Sequence, residues 1–147
     1  MNSQIKMTTK IIVTGGAGFV GKHVQEALIK KGVEKKQIII PKSKECDLRK
    51  FEDCLKLTYG VDIVIHLAGD VGGIGYNQKY PGSLFYNNIA MGINLIEASR
   101  INNIKKLVCI GTICSYPKYT PVPFEEENLL IGYPEETNSS YGIAKKS

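Results

Sequence analysis

The stretch of sequence that decides the fold is Thr14-Gly15-Gly16-Ala17-Gly18-Phe19-Val20-Gly21. Gly16, Gly18 and Gly21 match the pattern GxGxxG, and Gly15, Gly18 and Gly21 match the variant GxxGxxG. A side chain at these positions would block a tight turn, the approach of a pyrophosphate, or the contact of a helix with a strand. The stretch predicts a dinucleotide-binding turn at a helix N-terminus, whose free N–H groups face the phosphates. The expected contacts are Gly15, Gly18, Phe19, Val20 and Gly21. An ordinary glycine-rich turn is the alternative.

Strands and helices alternate along the chain. The predicted strands are Lys10–Thr14, Gln37–Ile40, Val61–Leu67 and Lys106–Gly111. The predicted helices are Gly18–Lys31, Leu48–Leu57 with Asp47 as its cap, Ser83–Asn102, and one that begins near Ser139 or Ser140. The alternation predicts an α/β fold, a Rossmann-like doubly wound parallel sheet covered on both faces. We expect strands one to four of the order 3-2-1-4-5-6, with strand four as an exposed edge.

Composition restricts the class of protein. The 147 residues, 43% of them hydrophobic, suffice for one domain, interpreted as an incomplete dinucleotide-binding domain over residues 1–147. The net charge of +5 is spread along the chain rather than gathered in a dense stripe, so no nucleic-acid partner is expected. The apolar runs are too short for a membrane span, and Met1–Lys10 lacks the apolar core of a signal peptide. A cytoplasmic protein is therefore expected.

The four cysteines do not form a metal-binding pattern. They are Cys46, Cys54, Cys109 and Cys114. No pair has CxxC spacing and none has a histidine at ligand spacing, so no metal site is predicted. The first three are interpreted as reduced thiols.

The residues after the second strand indicate which dinucleotide is bound. An NAD site has a carboxylate there that holds the ribose hydroxyls. This chain has Lys42-Ser43-Lys44 instead, and the first acid is Glu45. Two ammonium groups and a hydroxyl can neutralise and hydrogen-bond a 2′-phosphate, so NADP (NADPH) is favoured over NAD. The alternative is that both lysines are only solvated.

A tyrosine and a lysine four residues apart, Tyr141 and Lys145, fall on one face of the last predicted helix. A phenol with a pKa of about 10 is a poor acid–base group at neutral pH. A nearby ammonium and a positive nicotinamide ring favour the phenolate and lower that pKa. Thr112, expected at the tip of the fourth strand, supplies a hydroxyl that can hold the reacting oxygen. The combination predicts Thr112, Tyr141 and Lys145 as catalytic residues.

Taken together, these segments resemble the extended short-chain dehydrogenase/reductase family, that of the NAD-dependent epimerases and dehydratases. The resemblance covers essentially the whole chain. It rests on Gly15–Gly21, Asp47-Leu48, His66-Leu67-Ala68-Gly69, Asn88, Thr112 and the pair Tyr141 and Lys145. It implies that Asp47 and Leu48 contact the adenine of the cofactor. It also implies further cofactor contacts by Leu67, Ala68, Gly69, Asn88, Tyr141 and Lys145.

Three longer segments are similar to GDP-L-fucose synthases. Val71-Gly72-Gly73-Ile74 followed by Asn77 is similar to that family's VGGI-xx-N, and Ile110–Lys118 is similar to LGSSCIYPK. Gly132–Asn138 is similar to the G-x-x-E-x-T-N that precedes the catalytic tyrosine. UDP-sugar 4-epimerases and 4,6-dehydratases lack the first segment and have no cysteine at position 114. Thr112 stands where this family usually has serine, which is a mild change.

This resemblance implies a bifunctional enzyme. It would epimerise GDP-4-keto-6-deoxy-D-mannose at C3 and C5 and then reduce C4 with hydride from NADPH, giving GDP-L-fucose. Cys114, two residues past Thr112, is expected to face the same cleft by strand periodicity and to move the C3 and C5 protons. A small apolar filler is the alternative for Cys114. The implied second acid–base group is a histidine beyond the catalytic lysine, so His66 is interpreted as a strand-end residue near the cofactor and His23 as structural or exposed.

The expected protein is an N-terminal fragment that is inactive alone and belongs to a homodimer when full length. A GDP-sugar is the expected partner molecule, without nucleic acid or membrane. Another nucleotide-sugar epimerase or dehydratase of the same fold is one alternative. A non-catalytic NADP-binding module is another, and the presence of Thr112, Tyr141 and Lys145 argues against it.

Overall fold

The computed structural model describes residues 8–147, so the first seven residues of the predicted polar N-terminal segment lie outside the described part of the chain. The chain divides into two compact units. Among the described residues, the first unit holds 8–68 with Ile93–Ile110, and the second holds Gly69–Gly92 with Gly111–Ser147. Within residues 8–147, none of the helices combines the length and the apolar content that a membrane span requires.

A four-stranded parallel sheet forms the centre of the first unit. Its strands are β1 (Ile11–Thr14), β2 (Ile38–Ile39), β3 (Ile63–His66) and β4 (Lys106–Cys109). Their spatial order is β2-β1-β3-β4, and β1 is in register with β3 from Ile11 opposite Ile63 to Thr14 opposite His66. The prediction of an α/β, Rossmann-like parallel sheet is confirmed, and β4 lies at the sheet edge as expected.

The order of the strands differs from the predicted order, in which strand two would lie between strands one and three. In the structure β3 pairs directly with β1. The reason lies in the chain between β2 and the next helix, which turns back on itself. The amides of Glu45 and Cys46 both donate to the carbonyl of Lys42, so this segment adds no strand outside β2. The point at which the strand order reverses therefore lies between β1 and β3.

Helices cover both faces of the sheet. They are α1 (Phe19–Lys30), α2 (Phe51–Thr58) and the C-terminal part of α4 (Pro81–Ile101). Ile11 and Val13 pack with Val24 and Leu28 of α1 on one face. On α4, Leu95 and Ala98 are fully buried, and the Thr58 hydroxyl of α2 lies 3.4 Å from the Ala98 carbonyl oxygen. Ile12 and Val64, which point to the opposite face from Ile11 and Val13, are fully buried as well, so both faces of β1 and β3 are covered.

The start of α2 is a correction to the prediction. The helix begins at Phe51 with Lys50 as its N-cap, not at Leu48 with Asp47 as its cap. Asp47 uses its carboxylate on Arg49 instead, through the Arg49 amide and guanidinium. The Lys50 amide donates to the Asp47 carbonyl at 2.8 Å, and the first helical hydrogen bond runs from the Cys54 amide to the Lys50 carbonyl, so a separate turn precedes α2.

The second unit has helices and irregular segments. The sequence analysis missed its short helix α3 (Ile74–Lys79), and the unit also holds the first part of α4 and the helix α5 (Ser139–Lys146). The long stretch before α5 contains 3₁₀ turns over Ile113–Ser115 and Glu126–Leu130, and an isolated antiparallel bridge joins Pro117 to Pro134. The predicted irregular character of this stretch is confirmed.

Candidate functional site

Backbone atoms form the glycine turn that follows β1. Gly15 has φ of +68°, a left-handed conformation that favours glycine. A Cβ at Gly15 would lie 2.9 Å from the Ala68 amide nitrogen, and a Cβ at Gly21 would lie 2.4 Å from the Gly15 carbonyl oxygen. The Gly18 amide closes the turn by donating to the Gly15 carbonyl at 3.0 Å. Side chains at Gly15 and Gly21 would therefore push the turn away from β3 and from its own helix.

The Gln25 side chain supports this turn from α1. Its Nε2 atom donates to the Gly16 carbonyl at 2.8 Å and to the Gly21 carbonyl at 3.1 Å. No sequence motif pointed to Gln25, although Gln25 lies four residues after Gly21, which is one helical turn away. One amide group thus joins the two ends of the glycine turn.

The start of α1 fits a dinucleotide. Its N-cap is Gly18, and no side chain caps the helix. Gly15, Ala17 and Gly18 are exposed, so their backbone can be approached closely. The Phe19 and Val20 side chains are also exposed, with 80% and 55% of their surface accessible. At a helix N-terminus, uncapped N–H groups next to exposed backbone can donate hydrogen bonds to the oxygens of a pyrophosphate.

The predicted 2′-phosphate residues Lys42, Ser43 and Lys44 are all exposed. The Lys42 ammonium lies 3.3 Å from the Glu45 carboxylate, which offsets part of its charge. Asp47 accepts two hydrogen bonds from the Arg49 guanidinium, and these bonds lower the pKa of Asp47 to about 2. Leu48 is buried, and its carbonyl accepts from the Cys54 thiol and the Asn94 amide. The backbone around the implied adenine contacts is therefore fixed by hydrogen bonds.

The end of β3 is held from β1. The Leu67 and Ala68 amides both donate to the Thr14 hydroxyl at 3.2 Å. His66 is buried beside the same hydroxyl, at the strand end where it was expected. His23 is exposed on α1, where its ring lies against the Phe19 ring.

The predicted catalytic residues of the second unit come together around the Tyr141 hydroxyl. Tyr141 and Lys145 both lie on α5, four residues apart, as the sequence predicted. The Tyr141 hydroxyl is hydrogen-bonded to the Thr112 side chain, and Cys114 is close enough to act on it electrostatically. A Cβ at Gly69 would lie 3.9 Å from the same hydroxyl. Thr112, Cys114, Gly69 and Tyr141 therefore form one cluster.

The pKa of Tyr141 is raised above its ordinary value. Burial of the phenol is the largest cause, because it penalises the phenolate, and the negative charge of a Cys114 thiolate adds to it. The hydrogen bond from Thr112 acts in the opposite direction. The lowering predicted from the sequence depended on Lys145 together with a bound nicotinamide ring, so it stays a prediction for the cofactor complex.

The position of Cys114 has a different cause from the predicted one. β4 ends at Cys109, and Cys114 lies in the 3₁₀ turn over Ile113–Ser115 rather than on a strand, so strand periodicity does not apply. Thr112 begins this turn, and its hydroxyl accepts from the Cys114 amide at 3.2 Å. Thr112 thus lies three residues past the strand end and not at its tip.

Helix α5 packs very closely against this 3₁₀ turn. A Cβ at Gly142 would lie 2.1 Å from the Cys114 carbonyl oxygen, so only glycine fits there. The buried Ser115 hydroxyl donates to the Gly142 carbonyl at 2.8 Å. This contact sets the distance between α5 and the 3₁₀ turn, and with it the position of Tyr141 relative to Thr112 and Cys114.

Asn88, an implied cofactor contact, uses its side chain on the backbone of the second unit. Its Oδ1 accepts from the Asp70 amide at 3.0 Å, and its Nδ2 donates to the Asp70 and Leu84 carbonyls at 2.7 Å. The residue is buried. It therefore fixes the backbone at Gly69 and Asp70.

Two of the three segments that are similar to GDP-L-fucose synthases are hydrogen-bonded to each other. Asn77 Nδ2 donates to Asn138 Oδ1 at 2.7 Å, and Asn77 Oδ1 accepts from the Gly72 amide at 3.2 Å. Asn138 Nδ2 in turn donates to Glu135 and Thr137. The sequence analysis quoted both asparagines without pairing them.

Comparison with known proteins assigns this chain to a protein family. Residues 11–147 match the NAD dependent epimerase/dehydratase family. The chain belongs to that family. Its members are NAD(P)-dependent enzymes, so the predictions of an enzyme and of a dinucleotide cofactor are confirmed at the level of the family.

Several relatives within the family act on GDP-sugars by name. GDP-L-colitose synthase from Yersinia pseudotuberculosis is 39% identical over 92% of this chain and 44% of its own length. GDP-L-fucose synthase from Sinorhizobium fredii is 37% identical over 92% of this chain and 43% of its own length. A GDP-mannoheptose C4 reductase from Campylobacter jejuni, solved with NADP bound, has a TM-score of 0.88 at 28% identity, over 97% of this chain and 42% of that one. The chain spans less than half the length of these relatives.

Proposed function

We propose that this chain is part of an NADP-dependent epimerase/reductase that converts GDP-4-keto-6-deoxy-D-mannose to GDP-L-fucose. The observation that carries the proposal is the close packing of α5 against the 3₁₀ turn of Cys114, which brings the Tyr141 hydroxyl beside Thr112 and Cys114. A phenol can give a proton to an oxygen, and a thiol can exchange protons with carbon, which are the two steps of this reaction. Similarity to enzymes named for GDP-L-fucose, GDP-L-colitose and a GDP-heptose supports a GDP-sugar substrate.

The residues that would hold the cofactor fall into four groups. The pyrophosphate would bind the glycine turn at Gly15, Gly18, Phe19, Val20 and Gly21. The 2′-phosphate would bind Lys42, Ser43 and Lys44, and the adenine would contact Asp47 and Leu48. The rest of the cofactor would contact Leu67, Ala68, Gly69, Tyr141 and Lys145, with Asn88 fixing the backbone at Gly69. The similarity to a reductase solved with NADP supports NADP as the cofactor.

Reduction requires a hydride at C4 and a proton on the C4 oxygen. NADPH, when bound, supplies the hydride and is oxidised to NADP⁺. Tyr141 donates its hydroxyl proton to the former carbonyl oxygen, which completes the alcohol. The Lys145 ammonium, one turn along α5, stabilises the phenolate that remains. The Thr112 hydroxyl orients the Tyr141 hydroxyl to which it is bonded.

Epimerisation uses the acidity of the two carbons that flank the C4 carbonyl. The Cys114 thiolate removes the proton from C3 or C5, and the electron pair of the broken C–H bond moves to the C4 oxygen as an enolate. A proton added to the opposite face of that carbon inverts the centre and restores the carbonyl. We assign neither histidine of this sequence to the second acid–base role, because His66 is buried against Thr14 and His23 is exposed on α1.

The test uses the full-length protein that contains this chain, with GDP-4-keto-6-deoxy-D-mannose and NADPH in heavy water. NADPH oxidation reports reduction, and deuterium at C3 and C5 reports epimerisation. We expect Tyr141→Phe to abolish NADPH oxidation while deuterium incorporation continues. Cys114→Ser should slow deuterium incorporation by about 10²–10⁴-fold, the usual loss for an acid–base group. Its matched control is Cys109→Ser, since Cys109 is an exposed thiol at the end of β4.

Wild-type deuterium incorporation in Cys114→Ser would refute the role of Cys114. Retained NADPH oxidation in Tyr141→Phe would refute the role of Tyr141. Turnover of a UDP-4-keto-sugar in preference to the GDP-sugar would favour the alternative of another nucleotide-sugar epimerase or dehydratase. NADPH binding without turnover of either sugar would favour a non-catalytic module.

A further inference from the structure

The position of Tyr141 depends on the contacts that hold α5 (Ser139–Lys146) in place. The middle of the helix is held by Gly142 against the Cys114 carbonyl and by the Ser115 hydroxyl. Tyr141 lies N-terminal to that contact, so its position also depends on what holds the start of the helix.

The start of α5 borders a cavity lined mostly by polar side chains. The first helical residues, Ser139 and Ser140, line this open cavity of about 240 Å³ within the second unit. The other lining residues are Asn77, Gln78, Pro81, Glu136 and Thr137. Nearly all of these side chains are polar, so hydrogen bonds are the contacts through which they can hold this end of the helix.

Asn138 is the N-cap of α5, yet its side chain does not cap the helix. Its backbone carbonyl accepts the helical hydrogen bond from the Gly142 amide at 2.8 Å. Its side-chain oxygen accepts from Asn77 Nδ2 at 2.7 Å. An N-cap residue ordinarily uses its side-chain oxygen on the first amides of its own helix. Here that oxygen joins the helix to α3.

Asn77 is suited to act as an anchor. Only 4% of its surface is exposed, and its side-chain amide is hydrogen-bonded both to Gly72 and to Asn138. Its Oδ1 accepts from the Gly72 amide, and its backbone amide donates to the Gly73 carbonyl at 3.1 Å. These bonds orient the Asn77 side chain independently of Asn138. A buried amide whose orientation is fixed in this way constrains the group to which it is hydrogen-bonded.

We propose that Asn77 is a positioning residue for Tyr141, acting through its hydrogen bond to the Asn138 side chain. The bond fixes the first turn of α5, and it therefore fixes the position of the Tyr141 hydroxyl relative to Thr112. This inference rests on the proposed function, because its effect is measured on the reduction step that Tyr141 serves. A displacement of about 1 Å at a reacting group can cost about 100-fold in rate.

The test compares Asn77→Ala, Asn77→Asp and Asn138→Ala in the full-length enzyme with NADPH and the 4-keto sugar. We expect each to lower kcat for NADPH oxidation by about 10- to 100-fold and to leave the Kd for NADPH within about twofold. The double variant Asn77→Ala/Asn138→Ala should lose less than the sum of the two single losses, because both single variants break the same bond. Gln78→Ala is the matched control, since Gln78 is an exposed neighbour on α3 and should retain wild-type kcat.

Asn77→Asp separates positioning from a purely structural role. The carboxylate can still accept from the Gly72 amide, but it cannot donate to Asn138. If Asn77 only stabilised the loop before α3, Asn77→Asp would keep wild-type kcat, and that result would overturn the proposal. Additive losses in the double variant would overturn it as well. If Asn77→Ala fails to fold, Asn138→Ala breaks the same bond at a less buried residue and decides the question.

The two proposals fail in different ways. A wild-type enzyme that does not oxidise NADPH with any 4-keto GDP-sugar would contradict the proposed function. An active wild-type enzyme whose Asn77→Ala and Asn138→Ala variants retain wild-type kcat would contradict the positioning role alone.

Discussion

The Thr14 hydroxyl oxygen lies 2.7 Å from Nδ1 of His66, and both side chains are buried. The same oxygen accepts from the amides of Leu67 and Ala68. These two N–H groups occupy both lone pairs of the hydroxyl, so its single proton must go to the histidine. His66 Nδ1 is therefore the acceptor, and one side chain joins the ends of β1 and β3 next to the glycine turn.

The first prediction concerns this hydroxyl. Thr14→Val keeps the shape of the side chain but removes the hydroxyl that accepts from the Leu67 and Ala68 amides and is bonded to the His66 ring. We expect the free energy of unfolding of the chain to fall by about 1–3 kcal/mol, the cost of leaving buried polar groups unsatisfied. Urea denaturation followed by circular dichroism measures it. Thr8→Val, at an exposed position, should change the free energy by less than about 0.5 kcal/mol. Equal stability of the two variants would contradict the hydrogen-bond assignment.

The second prediction concerns Gln25. Gln25→Leu keeps the apolar stem on α1 but removes both hydrogen bonds to the Gly16 and Gly21 carbonyls. The turn then loses a support, so we expect NADPH to bind about tenfold more weakly, which corresponds to about one net hydrogen bond. Nicotinamide fluorescence measures the affinity. Lys30→Leu, at the opposite end of the same helix, is the control and should bind as wild type. An unchanged affinity in Gln25→Leu would show that the glycines hold the turn without help.

The third prediction concerns the choice of cofactor. We expect NADPH to bind more tightly than NADH, and Lys44→Ala to reduce that preference by up to about tenfold, because a charge-assisted contact to the 2′-phosphate is lost. Glu45→Gln should strengthen the preference, since it releases Lys42 from its ion pair. Titrations with both cofactors measure the ratio. A wild-type ratio of one, or a preference for NADH, would contradict the prediction.

The fourth prediction concerns the titration of Tyr141 without cofactor. The raised pKa means that the folded protein disfavours the phenolate, so the contribution of Tyr141 to stability falls as the pH rises above its ordinary value of 10.0. The ultraviolet difference between wild type and Tyr141→Phe follows this ionisation. Thr112→Val should raise the pKa further, because the hydrogen bond from Thr112 lowers it, and Cys114→Ser should reduce it by removing the thiolate. Shifts in the reverse directions would exclude the observed cluster.

Much of the candidate site could be predicted because its signals are local. Gly21 follows from sterics within the turn, since its Cβ would meet the Gly15 carbonyl, and the shared face of Tyr141 and Lys145 follows from helical spacing over four residues. The parallel sheet follows from the alternation of short β-branched runs with amphipathic ones. In each case the determining interactions lie within one or two neighbouring elements.

Other features depended on contacts between residues far apart in the chain. The pairing of β3 with β1 replaced the predicted order, because the segment after β2 formed a turn through Lys42 instead of a strand. Cys114 came to the Tyr141 hydroxyl through a 3₁₀ turn against Gly142, which no strand periodicity could predict. The sequence by itself determined the family, the glycine turn and the helix that bears Tyr141 and Lys145. Tertiary structure alone decided the pairs Thr14 with His66 and Asn77 with Asn138. These are hydrogen bonds across 52 and 61 residues, and their partners are chosen by geometry that forms only when the chain has folded.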